Sequence, residues 1–179
     1  VVSLARGQQV AEPVSPEIEA MYDRGVRFLV GLQKPDGSFE GQFGQEAAVA
    51  ALALLAVLAR GDEPAAGGGT GEFVRRSLDR ILTLQNPDSG YIGSSMYNHG
   101  FSTLALAECY GHIDDPRLGP ALRRAVDLIL AAQATNPEGA WRYSPESRDA
   151  DSTVSGAQIV ALFAARNAGF GVPQESIDR

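Results

Sequence analysis

The sequence is poor in sulfur, histidine and aromatic rings, with one cysteine (Cys109), two histidines and only 7% Phe, Trp and Tyr. A single cysteine rules out an internal disulfide, so nothing here demands an oxidising compartment. Basic residues are outnumbered, 15 Lys and Arg against 22 Asp and Glu, leaving a formal charge of −7. With no basic stripe to offset phosphate repulsion, a nucleic-acid partner is excluded. No apolar run is long enough to cross a bilayer, so no transmembrane segment is expected. The richest run, 47–59, is 13 residues of mostly alanine and leucine and reads as a buried helix. Val1 stands where a methionine would, with no signal-peptide pattern after it, as in a trimmed or mature chain. Localisation is left unconstrained. What is present is 179 residues, 44% of them hydrophobic, enough for one domain spanning 1–179 with a proper core.

The most informative feature is an internal repeat. Three segments carry a glutamine followed by a glycine and an aromatic: QKPDGSF from Gln33, QNPDSGY from Gln85 and QATNPEGAW from Gln133. The glutamines lie 52 and 48 residues apart (85 − 33 and 133 − 85). Each is preceded by an amphipathic helical pattern and followed by a loop and a second helix of different character. Ser15-Pro16 starts the first amphipathic helix, with serine as N-cap and proline at the first helical position. Ile18, Met21, Tyr22, Phe28, Leu29 and Leu32 then fall on one stripe, which is expected to face the core. Val74, Leu78, Ile81 and Leu82 do the same in the second unit, and Leu122, Ala125, Val126 and Ile129 in the third, which starts at Asp115-Pro116.

The second helix of each pair is apolar almost all round. Charge is absent from 47–59 and from 152–165, and the segment 101–110 has only Glu108. A helix without a polar face must be covered on both sides. Gly100 and Gly156, with the many alanines, are expected to permit close helix–helix approach. Wet and dry helices alternating along the chain call for two layers, an outer row around an inner one. The fold expected is therefore all-α, three helix pairs over about 15–60, 71–111 and 115–168, with 169–179 beginning a fourth outer helix. A glycine-rich linker over 61–73 separates the first two units; no GK[ST] follows it, so it is no phosphate loop. If the inner helices run parallel, their N-terminal ends share one rim, where three positive dipole ends converge and a site is expected.

These residues carry a family resemblance. The glutamine–glycine–aromatic segments resemble the QxxxGxW motif of squalene and oxidosqualene cyclases; QKPDGSF keeps its spacing with Phe39 for tryptophan, QNPDSGY is shifted, and QATNPEGAW is longer but keeps Trp141. The stretch 97–111, YNHGFSTLALAECYG, looks like an inner helix of protein prenyltransferase β subunits and related bacterial toroid proteins. WRYSPESRDADSTVSGAQIVAL, 141–162, is similar to the loop and inner helix that carry the acid motif of class II cyclases. The resemblance covers nearly the whole chain from about Ser15 and implies an α/α toroid with inner and outer helices. The chain looks like half of such a ring, to be completed by further chain or by a second copy as a homodimer.

The resemblance also implies candidate residues. In DADST, Asp151 aligns with the aspartate that protonates an alkene or epoxide and Asp149 with its neighbour, while Ser152 replaces the last aspartate of the DxDD motif. Such an acid must be kept protonated, by burial and neighbouring carboxylates. The competing reading makes Asp151 or Ser152 a helix N-cap. His99 matches the prenyltransferase histidine that contacts an isoprenoid diphosphate; the plainer reading has Asn98 capping the helix and His99 bonding a loop. Tyr97, Arg142, Arg148 and Trp141 flank the rim and could join in ligand binding. No cofactor is implied. A metal is not expected: Cys109, His112, Asp114 and Asp115 cluster at the far end of the inner helix from the rim. The GCGEQ motif of thioester domains is absent, the nearest stretch being FGQE from Phe43. Two functions follow. One is a domain that binds an isoprenoid or other apolar ligand at the rim, with terpene-cyclase-like or prenyltransferase-like chemistry if it is an enzyme. The other is a non-catalytic module presenting its surface to a peptide or protein.

Overall fold

The computed structural model describes residues 14–59 and 68–178, which form helices joined by loops and turns. They are α1 (Pro16–Leu32), α2 (Ala47–Leu58), α3 (Gly68–Thr83), α4 (Met96–Cys109), α5 (Leu118–Thr135), α6 (Ser152–Asn167) and the short α7 (Glu175–Asp178). Among the described residues no helix is long and apolar enough to cross a membrane.

The helices make two layers. α4 packs against α2 on one side and α6 on the other, so α2, α4 and α6 form an inner row. α3 covers α2, α5 covers α4 and α6, and α1 touches both α2 and α3 at one end of the row. This is the expected sorting of the dry helices inside and the half-wet ones outside. Leu54, Leu106 and Leu162 of the inner row meet Leu78, Ile81, Leu122 and Ile129 of the outer helices, all essentially inaccessible. Each such side chain contributes about 1.5–3 kcal/mol through the apolar area it removes from water.

The two inner-row glycines behave differently. A Cβ on Gly100 would lie 2.6 Å from Nε2 of Gln158 on α6, so α4 and α6 approach closely there because no side chain intervenes. At Gly156 nothing lies within 4 Å, and it faces open space rather than a neighbour. Gly156→Ala is therefore expected to raise stability by up to about 1 kcal/mol, the helix-propensity difference between the two residues. Chemical denaturation of the two proteins would check this, and a lower midpoint for the alanine variant would contradict it.

The structure departs from the sequence-based expectation at α1. Ile18, Met21, Phe28 and Leu32 were expected to face the core, yet they are 58%, 63%, 65% and 46% exposed. The helix is turned so that Tyr22, Val26, Leu29 and Val30 make its contact with the rest of the fold. The Tyr22 hydroxyl anchors this orientation by donating to the Val57 carbonyl at the end of α2, 2.5 Å away. The apolar arc of α1 is wider than one neighbouring row can cover. A second difference is that Gly68–Phe73, read as linker, belongs to α3, where the buried Phe73 ring meets Phe39 edge-on. The rest of that linker, 60–67, lies outside the described residues.

The three motif glutamines explain how the outer helices are joined. All three are buried. Gln33 donates to the Phe73 carbonyl and to Ser77 Oγ on α3, and Gln85 donates to the Ala121 carbonyl on α5. Gln133 donates to the Ser176 carbonyl of α7. Each glutamine thus ties the end of one outer helix to the next helix on that side. The glycine of each motif adopts a positive φ, 80° at Gly37, 77° at Gly90 and 63° at Gly139, which turns the chain back toward the inner row.

Candidate functional site

The N-terminal ends of α2, α4 and α6 meet at one edge of the molecule, held there by side chains. Glu46 at the start of α2 makes no side-chain cap. Its place is taken by Asn98 of α4, whose Oδ1 accepts from the Ala48 N–H at 2.8 Å. The Asn98 amide in turn donates to the Glu46 carboxylate at 2.7 Å. α4 itself is capped by Ser95 rather than Asn98, so the helix starts earlier than expected and Asn98 is freed to cap its neighbour. On the other side, Tyr97 hydrogen-bonds Thr153 in the first turn of α6, and the Met96 N–H donates to the Tyr143 carbonyl. Gln158 of α6 donates to the Met96 carbonyl from within the interface.

Asp151 sits at this rim as the N-cap of α6. One carboxylate oxygen accepts from the Thr153 N–H at 2.9 Å, the Val154 N–H at 3.0 Å and the Thr153 hydroxyl at 2.6 Å. The Thr153 hydroxyl, then the backbone donors, and more weakly the Arg142 charge hold its carboxyl below the ordinary aspartate value. That is the opposite of what an acid kept protonated requires. Asp149 is exposed and pairs with Arg142 at 2.5 Å, and Arg142 also lies over the Tyr143 ring. Replacing the Asp151 carboxylate with a methyl (Asp151→Ala) removes three hydrogen bonds at a helix start, and a thermal melt is expected to show a loss of a few degrees, whereas Asp151→Asn retains the cap.

His99 lies inside the fold instead of on the rim surface. Its ring is fully buried; Nδ1 accepts from the Ile92 N–H at 3.1 Å and Nε2 lies 3.0 Å from the Ala125 carbonyl, to which it donates. Both nitrogens are used by the fold in the neutral form, and burial lowers the imidazole pKa to about 4. Trp141 is likewise buried, its indole N–H donating to the Ile129 carbonyl. Arg148 is separated from the others: with Leu128, Thr135, Pro145 and Glu146 it lines a cleft of about 420 Å³ beside α5. Cys109 is buried and its thiol is pushed up to about 12 by burial, with Glu108 adding to the effect, while His112 is exposed.

The rim opens onto the face of the inner row that the outer helices leave uncovered, which sequence reasoning did not single out. Tyr97, Phe101 and Leu104 form a single stripe along α4, each only partly buried. Leu52 on α2 and Val160 and Phe163 on α6 project from the equivalent stripes and are 47%, 45% and 39% exposed. Tyr97 and Phe101 stack with centroids 6.4 Å apart and planes within 9°, and Tyr143 closes over Tyr97 at 6.3 Å. The signal available in the sequence was the spacing 97, 101, 104 on a helix otherwise read as uniformly dry. The rim therefore unites Asp151, Asp149, Arg142 and Tyr97 beside an apolar, aromatic-bearing surface.

Comparison with known proteins fits this geometry. The chain is 30% identical over 142 residues to drimenyl diphosphate synthase of Streptomyces showdoensis, an alignment covering 73% of this chain and 25% of that protein. It is 29% identical over 140 residues to the lanosterol synthase erg7A of Aspergillus fumigatus, covering 70% of this chain and 17% of that protein. The chain thus spans a quarter or less of the length of these two curated relatives. No family model matches it, and no solved structure matches it. The paired inner and outer helices, together with the similarity to these two synthases over most of this chain's length, support a terpenoid cyclase-like family.

Proposed function

We propose that this domain binds an isoprenoid or similarly apolar chain along the open face of the inner row, with its mouth at the rim. The observation that carries the reading is the continuous stripe Tyr97–Phe101–Leu104, flanked by Leu52, Val160 and Phe163, on a face of these helices left partly exposed among the described residues. Apolar side chains left accessible in a row mark a binding surface, and stacked rings favour an unsaturated hydrocarbon. Arg142 stands at the mouth with its charge partly neutralised by Asp149, where it could meet a polar head group.

Proton donation by Asp151 is not part of this reading. Its carboxylate accepts three hydrogen bonds from its own helix, which favour the ionised form over the protonated one that proton donation needs. His99 is equally committed, and any diphosphate contact falls to Arg142 or to backbone donors at the rim.

Binding of squalene and of a prenyl diphosphate, followed by the intrinsic fluorescence of the tyrosines and by calorimetry, tests the proposal. Phe101→Ala is expected to weaken binding of either by about 10-fold, the worth of a buried aromatic contact of 1–1.5 kcal/mol. Asp151→Asn is expected to leave binding unchanged. If neither ligand binds, or if Phe101→Ala has no effect on one that does, the open face is not the site.

A further inference from the structure

We infer that Glu108 selects the far end of the ligand, so that the open face takes an apolar chain whose distal tip carries a hydrogen-bond donor, a hydroxyl or an ammonium. The inference rests on an apolar chain lying along this face and specifies which kind of chain. Ten of the 14 residues of α4 are buried, and the four that are not are Tyr97, Phe101, Leu104 and Glu108. Their spacing of four, three and four keeps all of them on one side of the helix. Glu108 therefore ends the stripe that Tyr97 begins. It stands 11 residues on (108 − 97), which is roughly 16 Å further along the helix axis. It is also the one acidic residue within α2, α4 and α6.

Nothing in the fold calls for a carboxylate at that place. Glu108 lies 13 residues after the N-cap of its helix (108 − 95), and the same count from the other two N-caps, Glu46 and Asp151, reaches Ala59 and Ala164. The other inner helices thus have alanine at this step. Glu108 also stands in the last turn of α4, where the negative end of the helix dipole disfavours an anion and no basic residue of that turn offsets it. It is exposed and makes no hydrogen bond or ion pair with any described residue. Arg166, near the end of the neighbouring α6, donates to Gln174 and lies over the Phe163 ring instead. A charge that its own helix opposes and no side chain answers, at the foot of an apolar stripe, complements a donor brought by a ligand. With the chain lying against Tyr97, Phe101 and Leu104, a terminal hydroxyl or ammonium meets the Glu108 oxygens. A plain hydrocarbon reaching as far would displace water from the carboxylate and replace none of its hydrogen bonds.

The test is calorimetric binding of farnesylamine, farnesol and squalene to the whole chain. The amine and the alcohol are expected to bind more tightly than the hydrocarbon. Glu108→Gln keeps an acceptor but removes the charge, and is expected to weaken farnesylamine by about 10-fold and farnesol by no more than about 2-fold. Glu108→Leu is expected to weaken both by about 10-fold while strengthening squalene, a crossing of affinities that loss of structure cannot produce. Because Glu108 is exposed and opposed by the helix dipole, both variants are expected to melt no lower than the wild type. Loss of the amine alone in the two variants marks the tip as cationic, and loss of the alcohol as well marks any donor as sufficient; either result supports the inference. Amine and alcohol affinities that ignore both substitutions, while Phe101→Ala still weakens them, overturn it and leave the open face as a binding surface. Failure of all three probes to bind removes that surface and the inference together.

Discussion

Lowering the pH from 7 to 5 is expected to remove about 2 kcal/mol of unfolding free energy, most of it through His99. In the native fold the imidazole is buried and neutral, with Nδ1 accepting from Ile92 and Nε2 donating to Ala125, and its pKa is depressed from 6.5 to about 4. In the unfolded chain it takes up a proton near pH 6.5. The unfolded state therefore binds more protons between these values. The stabilisation is complete above pH 6.5 and is lost as the pH falls toward 4, at about 1.4 kcal/mol per pH unit. Asp36, Asp115 and Asp151 have depressed carboxyl values, so their contribution persists until the pH falls below the ordinary aspartate range. The interval from 6.5 to 5 consequently belongs chiefly to the histidine. Urea titrations at half-unit steps would read it directly. His99→Gln should start less stable, because its amide matches the two bonds imperfectly, but should show almost no slope in that interval. A wild-type midpoint that is flat from pH 7 to 5 would show that His99 is not held neutral by the core.

The other large effect is expected at Gly37. Its φ of +80° already disfavours any residue with a Cβ, and a methyl group there would stand 2.3 Å from the Arg76 carbonyl oxygen on α3. The obstacle is backbone, which cannot step aside as a flexible side chain does. Gly37→Ala is expected to cost about 3 kcal/mol or more, combining positive-φ strain with displacement of α3 from the loop. Gly90→Ala should behave similarly, since its Cβ would be 2.7 Å from the Arg124 carbonyl. Gly41 supplies the control. It has φ +102° but nothing within 4 Å, so its alanine variant feels the strain without the collision. Denaturation midpoints for the three should separate Gly37 and Gly90 from Gly41; equal losses at all three would mean that φ alone matters.

What could be read from the chain and what could not divides along a physical line. Features set by neighbours in sequence were legible: the Ser15 cap of α1, Asp151 as the cap of α6, and the glutamine and glycine of each motif closing an outer helix. The contrast between dry and half-wet helices likewise gave the two layers, because burial follows composition when a whole helix is apolar. Features set by partners distant in sequence were not legible. Nothing local indicates that Asn98 caps α2, 50 residues away, in place of its own helix. Nothing local indicates that the scarce histidine would be consumed by Ile92 and Ala125. Of the stripe on α1, Tyr22 and Leu29 face the fold while Ile18, Met21, Phe28 and Leu32 do not, because periodicity reports that an apolar face exists and not what covers it. Asp151 shows the same limit in chemical form. Its place in a cyclase-like motif suggested an acid, whereas the protonation state depends on donors that only the fold supplies.

The glutamine ties carry a mechanical consequence. Each couples one outer helix to its successor through a backbone carbonyl, so the three act like rivets along a hoop, and loosening one plate slackens only the adjoining pair. Fraying should accordingly advance inward from α1 and α7, and amide exchange should be slowest around α4, which is braced on both flanks. Severing the middle rivet, Gln85, should loosen α5 from the end of α3 while α2, α4 and α6 stay packed together.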